Sequence, residues 1–276
     1  DPLEELNRLF NRLFASLDSE GLATADYYGG NSLQLGGAIQ LGDQPVMLVD
    51  APPIVSAGQR YYWRSRTFSH YEGGRWTSTA DVRLTVPDPG YAIEGVNALP
   101  DMREPVQQRF TMVLNASRLV YTAPQPQIMN LPVSIDLSYT DEQQRQMDVS
   151  VIRPLQVLRT GDEYTVVSSI STADAPSLRA AGTAYPQWVL ADYLQVGGSI
   201  TQRTRDLAVQ IVTQANAGTP YDQAKAVERW LRRNIVYDEA ISGPNDVRTV
   251  GGPHEAAVFP GDAQHQHAAV GQVDIR

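Results

Sequence analysis

Residues 161–172 read GDEYTVVSSIST and end the β-type part of the chain. Gly161-Asp162 is a turn signal, and Glu163–Thr172 is rich in the β-branched residues that favour strands. From Pro176 onward, apolar residues recur at helical spacing instead. The chain is therefore predicted to change from strands to helices near residue 175.

Toward the N terminus, the sequence from about residue 33 consists of short β-type runs between turn signals such as Pro52-Pro53 and Gly73-Gly74. The other predicted strands are Leu33–Leu35, Ile39–Leu41, Val46–Val49, Arg60–Ser69, Gln107–Leu114, Leu119–Thr122, Val133–Tyr139 and Leu155–Leu158. No helical period intervenes. The pattern predicts an antiparallel, sandwich-like β-rich domain over residues 30–174.

Toward the C terminus, the spacing predicts four helices, at Pro176–Gly182, Pro186–Gln195, Ile200–Ala217 and Pro220–Val236. Thr201 fits the N-cap position of the third helix, and Gly218 is its stop signal. These helices make a predicted helical segment over residues 175–244. With the β-rich domain they indicate an α+β fold class.

Two further segments flank these parts. Within residues 1–18, Leu and Phe recur at spacings of three and four from residue 2 to residue 17, which predicts an amphipathic helix. That helix either packs on the following domain or is a juxtamembrane or dimerising helix that follows a membrane segment. The tail 245–276 has little periodicity, and we expect it to be poorly ordered.

Composition excludes several classes of function. The 276 residues are 42% hydrophobic and 19% charged, which is typical of a globular protein. The net charge of −9 comes without a basic cluster, so nucleic acid is not an expected partner. No run of 18 apolar residues predicts a membrane span. The chain contains no cysteine, which excludes disulfides, thiolate metal sites and a cysteine nucleophile within it.

The aromatic segment Tyr61–Thr77 (YYWRSRTFSHYEGGRWT) is similar to a segment of bacterial membrane-anchored proteins of the transglutaminase-like superfamily. The similarity continues from Gly161 to Asp238. Within it, residues 204–238 (TRDLAVQIVTQANAGTPYDQAKAVERWLRRNIVYD) resemble the two helices that lead into the catalytic core of such enzymes.

This resemblance implies a papain-like thiol mechanism for the parent protein, in which a Cys-His-Asp triad cleaves or transamidates protein or peptide amides. It also implies a location on the extracytoplasmic side of the cell membrane, with membrane segments in the parent. No triad residue can be assigned here, because the expected Gly-X-Cys helix does not follow Asp238. The chain thus resembles the region that precedes the catalytic core, and we expect it to be inactive by itself.

Two roles are consistent with that position. The chain either presents substrate to the core or positions the core above the membrane. The alternative is a free-standing, non-enzymatic interaction module that has lost the core, and a remote third possibility is a hydrolase that uses His70. If the core is missing, the inner face of the last helix should be exposed and should mediate self-association through Val227, Trp230 and Leu231.

The histidines of the chain do not clearly indicate a metal site or a catalytic site. His265 and His267, with Asp262 and His254, have a spacing that a metal site can use, but a biased flexible tail is the favoured interpretation. His70 beside Glu72 is more simply a strand end next to a turn than a general base. We therefore predict no metal, no cofactor and no catalytic residue.

The remaining polar residues have structural interpretations. The pairs Asp141-Glu142, Asp162-Glu163 and Asp238-Glu239 are interpreted as solvated turn residues, since adjacent side chains face apart. A second group consists of Arg64, Arg66, Arg75 and Trp76. These residues could form a ligand-facing patch in which a guanidinium group stacks on an indole ring. The favoured interpretation is that they anchor the strands, with the arginine stems covering the rings. Trp188 and Trp230 are expected to be core anchors of the helical end.

Overall fold

The computed structural model describes residues 32–34, 45–53, 60–93 and 102–235. The amphipathic helix predicted within 2–17, the strand predicted at Ile39–Leu41 and the tail 245–276 lie outside these residues. The described strands are β1 (Ser32–Gln34), β2 (Met47–Asp50), β3 (His70–Glu72), β4 (Arg75–Thr77), β5 (Val82–Val86), β6 (Arg103–Met112), β7 (Pro126–Met129), β8 (Val133–Tyr139), β9 (Met147–Pro154) and β10 (Glu163–Ser171). The described helices are α1 (Ala175–Ala180), α2 (Gln187–Asp192), α3 (Gln202–Gln214) and α4 (Pro220–Asn234).

The strands form three antiparallel sheets with the orders β1-β4-β3, β2-β6-β10-β7 and β5-β8-β9. Because helices follow the last strand, the predicted α+β class with a C-terminal helical segment is confirmed. The sandwich-like arrangement of the sheets stays a prediction.

The β2-β6-β10-β7 sheet and the β5-β8-β9 sheet share one hydrophobic core. Long strands β6 and β10 pair along nine residues, and alternate side chains of each strand are buried. Phe110 and Tyr164 stack near one end of this pairing, with ring centroids 4.8 Å apart, and both are fully buried. The β5-β8-β9 sheet adds further buried apolar side chains: Val133, Ile135, Leu137, Met147, Val149 and Ile152.

Several buried polar groups have hydrogen-bond partners, as burial favours, whereas the indole N–H of the core residue Trp63 has none among the described residues. The Gln108 amide donates to the Val106 carbonyl at 2.7 Å and accepts from the Ala123 N–H at 3.0 Å. In the β5-β8-β9 sheet, the buried carboxylate of Asp136 accepts hydrogen bonds from Arg83 and Arg153, which lie on the two neighbouring strands. This ion triad ties the three strands together.

The continuous strand predicted at Arg60–Ser69 is wrong. This segment makes only isolated bridges to two different partners, Arg64 to Thr122 and Arg66 to Val151. An alternating pattern predicts an extended backbone, but a strand also needs one partner along its length. The predicted strand Leu119–Thr122 is wrong for the same reason.

The structure also shifts one strand and adds four that were not among the predicted strands, namely β3, β4, β5 and β7. The strand predicted at Leu155–Leu158 is wrong, since pairing ends at Pro154 and Leu158 makes only a bridge to Ser117. Strand β9 instead alternates apolar residues with the polar side chains of Asp148 and Ser150. Strands β5 and β7 were not predicted because they are short and bordered by turn residues.

The helices begin close to their predicted starts. The Thr201 hydroxyl accepts from the Thr204 N–H at 3.3 Å, which confirms the predicted N-cap of α3. Gly218 is not the stop, however: the helix ends at Gln214, and Asn216 adopts the left-handed conformation at φ 49°. Asparagine tolerates that region better than most residues, so it can end a helix as glycine does.

The helical segment buries few of its side chains. Helices α1 and α2 contain no buried residue, while α3 buries Ile211 and α4 buries Ala226. Arg179 of α1 pairs with Asp222 of α4 at 2.9 Å. Within the described ranges, no helix has the length and apolar character that crossing a membrane requires.

Candidate functional site

The helical segment meets the sheets along a row of polar contacts that we call the polar seam. The seam joins two parts of the described chain. On the sheet side its members are Arg64, Thr67, Ser69, Glu72, Gly73 and Asp148, and on the helix side they are Tyr193, Gln195, Gly197 and Ser199.

The β3–β4 hairpin forms one end of the seam. Gly73 and Gly74 make its turn at φ 57° and 78°, a backbone conformation that favours glycine. The Glu72 carboxylate accepts from the Ser199 N–H at 3.1 Å, and the Gly73 N–H donates to the Ser199 hydroxyl at 3.0 Å. These two bonds hold the hairpin tip against the chain that leads into α3.

Gly197 allows this close approach. A β-carbon at this position would lie 2.6 Å from the Tyr71 carbonyl oxygen, nearer than real β-carbons come. Two residues earlier, the Gln195 amide donates to the Ser69 carbonyl at 2.9 Å. The segment 195–199 is thus fixed to the hairpin through backbone and side-chain bonds together.

Asp148 and Tyr193 form the other end of the seam. Asp148 belongs to β9, and the Tyr193 hydroxyl, directly after α2, donates to its carboxylate. The Arg64 guanidinium acts electrostatically on both groups, and the Thr67 hydroxyl bonds to the Tyr193 hydroxyl. A carboxyl group, a phenol and a guanidinium therefore meet at this contact.

Burial dominates the electrostatics of this end. Burial raises the pKa of Asp148, while the Tyr193 hydrogen bond and the Arg64 charge act in the opposite direction and Asp192 adds to the increase. Burial and the neighbouring Asp148 also raise the pKa of Tyr193, and burial lowers the pKa of Arg64. The seam thus places the half-buried carboxyl group of Asp148 beside a phenol and a guanidinium.

In the group for which strand anchoring is favoured, Trp76 and Arg66 each contact an aromatic ring outside that group. The Trp76 ring packs against Tyr71, with centroids 5.0 Å apart, and the Arg66 guanidinium lies 5.8 Å from the centroid of Phe68. Arg75 lies on β4, opposite Glu72.

The structure does not bring the other residues singled out in the sequence together into one site. His70 is exposed and begins β3. The carboxylates of Asp141 and Asp162 accept backbone N–H groups within turns. The Asp238-Glu239 pair and the three histidines of the tail lie outside the described residues. Trp188 and Trp230 are both half-buried.

Among residues 32–34, 45–53, 60–93 and 102–235, no group of three His, Asp or Glu side chains could hold a metal ion. The sequence analysis also missed Asp148 and Tyr193. Asp148 follows the ordinary alternation of a strand, and Tyr193 belongs to an aromatic helix end. Neither position carries a motif that would have identified it.

The TgpA N-terminal domain model matches residues 23–175, which is more than half of the chain. The chain belongs to the TgpA N-terminal domain family. This membership confirms the predicted relationship to transglutaminase-like proteins, upstream of their catalytic core. In this TgpA-family chain, the matched residues include Arg64 and Asp148, whereas Tyr193 and Ser199 follow the match. The seam therefore joins the family domain to the helices after it.

Two solved structures of the periplasmic domain of TgpA from Pseudomonas aeruginosa are similar to the chain. The one bound to ethylmercury is 14% identical, with a TM-score of 0.35, over 74% of this chain and 62% of that domain. The second is 15% identical, with a TM-score of 0.36, over 72% of this chain and 59% of that domain. The chain thus spans less than two thirds of those domains. No curated protein matches the chain.

Proposed function

We propose that this chain is an extracytoplasmic region of a membrane-anchored TgpA-like protein and that it positions a thiol catalytic core or presents substrate to it. The parent protein would cleave or transamidate protein or peptide amides through a Cys-His-Asp triad. Membership of the TgpA N-terminal domain family supports the relationship to such a parent. The extracytoplasmic location is the one that the resemblance to membrane-anchored transglutaminase-like proteins implies.

The polar seam is the observation that carries the positioning role. It ties residues 193–199 to residues on the sheet side that lie 45 to 127 positions earlier, so the start of α3 has a defined place on the sheets. A catalytic core that continues from α4 would therefore also have a defined position relative to the sheets. Substrate bound on the sheets would then lie at a set distance from the core, as catalysis by proximity requires.

A groove beside α4 offers a place for such a core to pack. The groove encloses about 630 Å³ between α3 and α4, and its lining includes Leu207, Trp230 and Ile235. These apolar side chains lie next to polar ones such as Arg203 and Asp206. A mixed surface of this kind suits a contact between two parts of one protein better than a closed ligand cavity.

The gene itself tests the proposed function. Nucleotide sequencing from the codon of Tyr237 onward, past Arg276 and read in all three frames, should reveal a Gly-X-Cys helix. Segments with His and Asp and then a membrane helix should follow it. A stop codon after Arg276 with no such segment in any frame would contradict the core-positioning role. The non-enzymatic interaction module would then be the better proposal.

Self-association through α4 is a second prediction. Val227, Trp230 and Leu231 are half-buried, and an apolar face left without its core should pair with a second copy. Light scattering of the chain should show a mass that rises toward a dimer with concentration.

The substitution Trp230→Gln should shift this equilibrium to the monomer, and Arg229→Gln, on an exposed neighbouring position, should leave it unchanged. Far-ultraviolet circular dichroism checks that both variants keep their helices. A wild-type chain that stays monomeric at high concentration would contradict the prediction.

A further inference from the structure

The β5-β8-β9 sheet has one open edge in the described part of the chain. Strand β9 is covered on its outer side by backbone hydrogen bonds from the N–H groups of Thr67 and Val120. Strand β5 pairs with β8 over Val82–Val86, and none of the described residues pairs with its other side. The N–H and C=O groups of alternate β5 residues therefore point away from the sheet, where another strand can reach them.

The backbone of β5 is suited to accept a partner. Its residues include no proline, and its register with β8 is regular from Val82 to Val86. Proteins commonly block an open edge with a proline, a bulge or an inward-pointing charge, and β5 has none of these. At five residues, β5 is also the longest edge strand that is left open within the described ranges.

The side chains on the core face of β5 leave room for an apolar neighbour. Val82 and Leu84 pack against the hydrophobic core but are only partly buried, whereas Val86 is buried. Side chains directly opposite each other in an antiparallel pair lie about 4.5–5.5 Å apart. An added strand with apolar residues at alternate positions would therefore cover Val82 and Leu84.

The other face of β5 carries a positive charge at Arg83. Arg83 and Arg153 both donate to the Asp136 carboxylate, so this triad of two cations and one anion keeps one positive charge. The Arg83 side chain is 60% exposed. An acidic side chain on an added strand, opposite Arg83, would be attracted to it.

The start of β5 is linked to the polar seam. The hydroxyl of Thr79, just before β5, shares a 2.7 Å hydrogen bond with the Ser69 hydroxyl, and the Ser69 carbonyl accepts from Gln195 on the helix side. A strand antiparallel to β5 would end beside Val82. The chain that follows its C-terminal end would therefore run toward the seam and the helical segment.

We infer that the open edge of β5 binds an extended peptide by antiparallel strand addition, with an acidic side chain of the peptide opposite Arg83. Main-chain hydrogen bonds would supply the affinity, and the alternate side chains would supply the selectivity. The inference rests on the proposed function in one respect, which is that the peptide would be part of the substrate that this region presents to a downstream core. Binding itself can be measured on this chain alone.

Fluorescence anisotropy with a labelled peptide tests the inference. The probe is Val-Thr-Val-Glu-Val with blocked ends and a Gly-Ser linker to the dye, which places its Glu opposite Arg83 and its valines opposite the apolar residues of β5. We expect saturable binding to the wild-type chain. Replacing the Glu of the peptide by Lys should weaken binding about fivefold, as expected for one cross-strand ion pair. Added salt should reduce this difference.

Two variants of the protein locate the contact. Arg83→Gln should bind the Glu and Lys peptides with nearly equal affinity, because the charge is lost while the backbone edge remains. Arg109→Gln, at an exposed position of β6 in the other sheet, is the matched control and should keep the wild-type preference. Urea unfolding checks that Arg83→Gln stays folded, since Arg153 still pairs with Asp136 in it.

Methylation of the peptide backbone tests strand addition itself. In an antiparallel pair, the N–H and C=O groups of alternate residues point to the partner strand. One peptide is N-methylated at its second and fourth residues, and another at its first, third and fifth residues. One of the two should lose affinity by about tenfold or more, because its hydrogen bonds to β5 are removed. The other should bind normally, since its methyl groups point away from β5.

The results separate this inference from the proposed function. Loss of binding in only one methylated peptide, with a Glu preference that disappears in Arg83→Gln, supports the inference. Equal effects of the two methylation patterns, or a preference that Arg83→Gln leaves unchanged, overturn it. Absence of binding up to about millimolar peptide also overturns it, and the edge is then covered by a second copy or by another part of the chain. None of these results concerns the polar seam, so the proposed function is tested separately, by sequencing of the gene.

Discussion

Phe110→Ala should lower the free energy of unfolding by about 3–5 kcal/mol, the range for removing a large aromatic side chain from a core. Phe110 is fully buried near the C-terminal end of β6 and stacks on Tyr164. The substitution removes that stacking and leaves a cavity in the hydrophobic core. Urea unfolding followed by tryptophan fluorescence measures the loss.

Gln107, three residues before Phe110, provides a matched control. Gln107 lies on the same strand, but its side chain is exposed. Gln107→Ala should change the free energy of unfolding by less than about 0.5 kcal/mol, as is usual for surface substitutions. Similar losses in the two variants would contradict a core shared by the two sheets.

The second large effect concerns the ion triad of the β5-β8-β9 sheet. We expect Asp136→Ala to cost about 3 kcal/mol at neutral pH, because it leaves the Arg153 guanidinium without its carboxylate. The side chain of Asp136 is 9% exposed and that of Arg153 24%, whereas that of Arg83 is 60% exposed. The loss should therefore come mainly from Arg153, since water screens the exposed arginine.

The pH dependence distinguishes this effect from simple loss of packing. Burial alone would raise the pKa of Asp136, but hydrogen bonds from Arg83 and Arg153 outweigh it and hold the pKa below its usual value. Stability from a lowered pKa is present above the ordinary value of about 3.9 and is lost as the pH falls through the lowered pKa. The difference between wild type and Asp136→Ala should thus shrink in acid.

Urea unfolding at about pH 7 and about pH 3 measures that difference. Asp88→Asn, at an exposed turn, is the control and should match the wild type at both values. A difference that is the same at both pH values would contradict the ion triad.

Much of the fold could be predicted from local patterns. The change from strands to helices near residue 175, the N-cap at Thr201 and the strand Val133–Tyr139 all depend on neighbours within a few positions. Periodicity records which face of an element is apolar, so it is reliable where an element has one partner along its length. Arg60–Ser69 has two partners, and there the prediction failed.

The candidate site could not be predicted from the sequence, because its residues are far apart along the chain. Tyr193 is 45 positions from Asp148, and Ser199 is 127 positions from Glu72. By itself, the sequence determined the fold class, the N-cap at Thr201 and the relationship to transglutaminase-like proteins. Only the tertiary structure decided which carboxyl group is covered, because burial and hydrogen bonding between distant segments depend on how the elements pack and leave no local pattern.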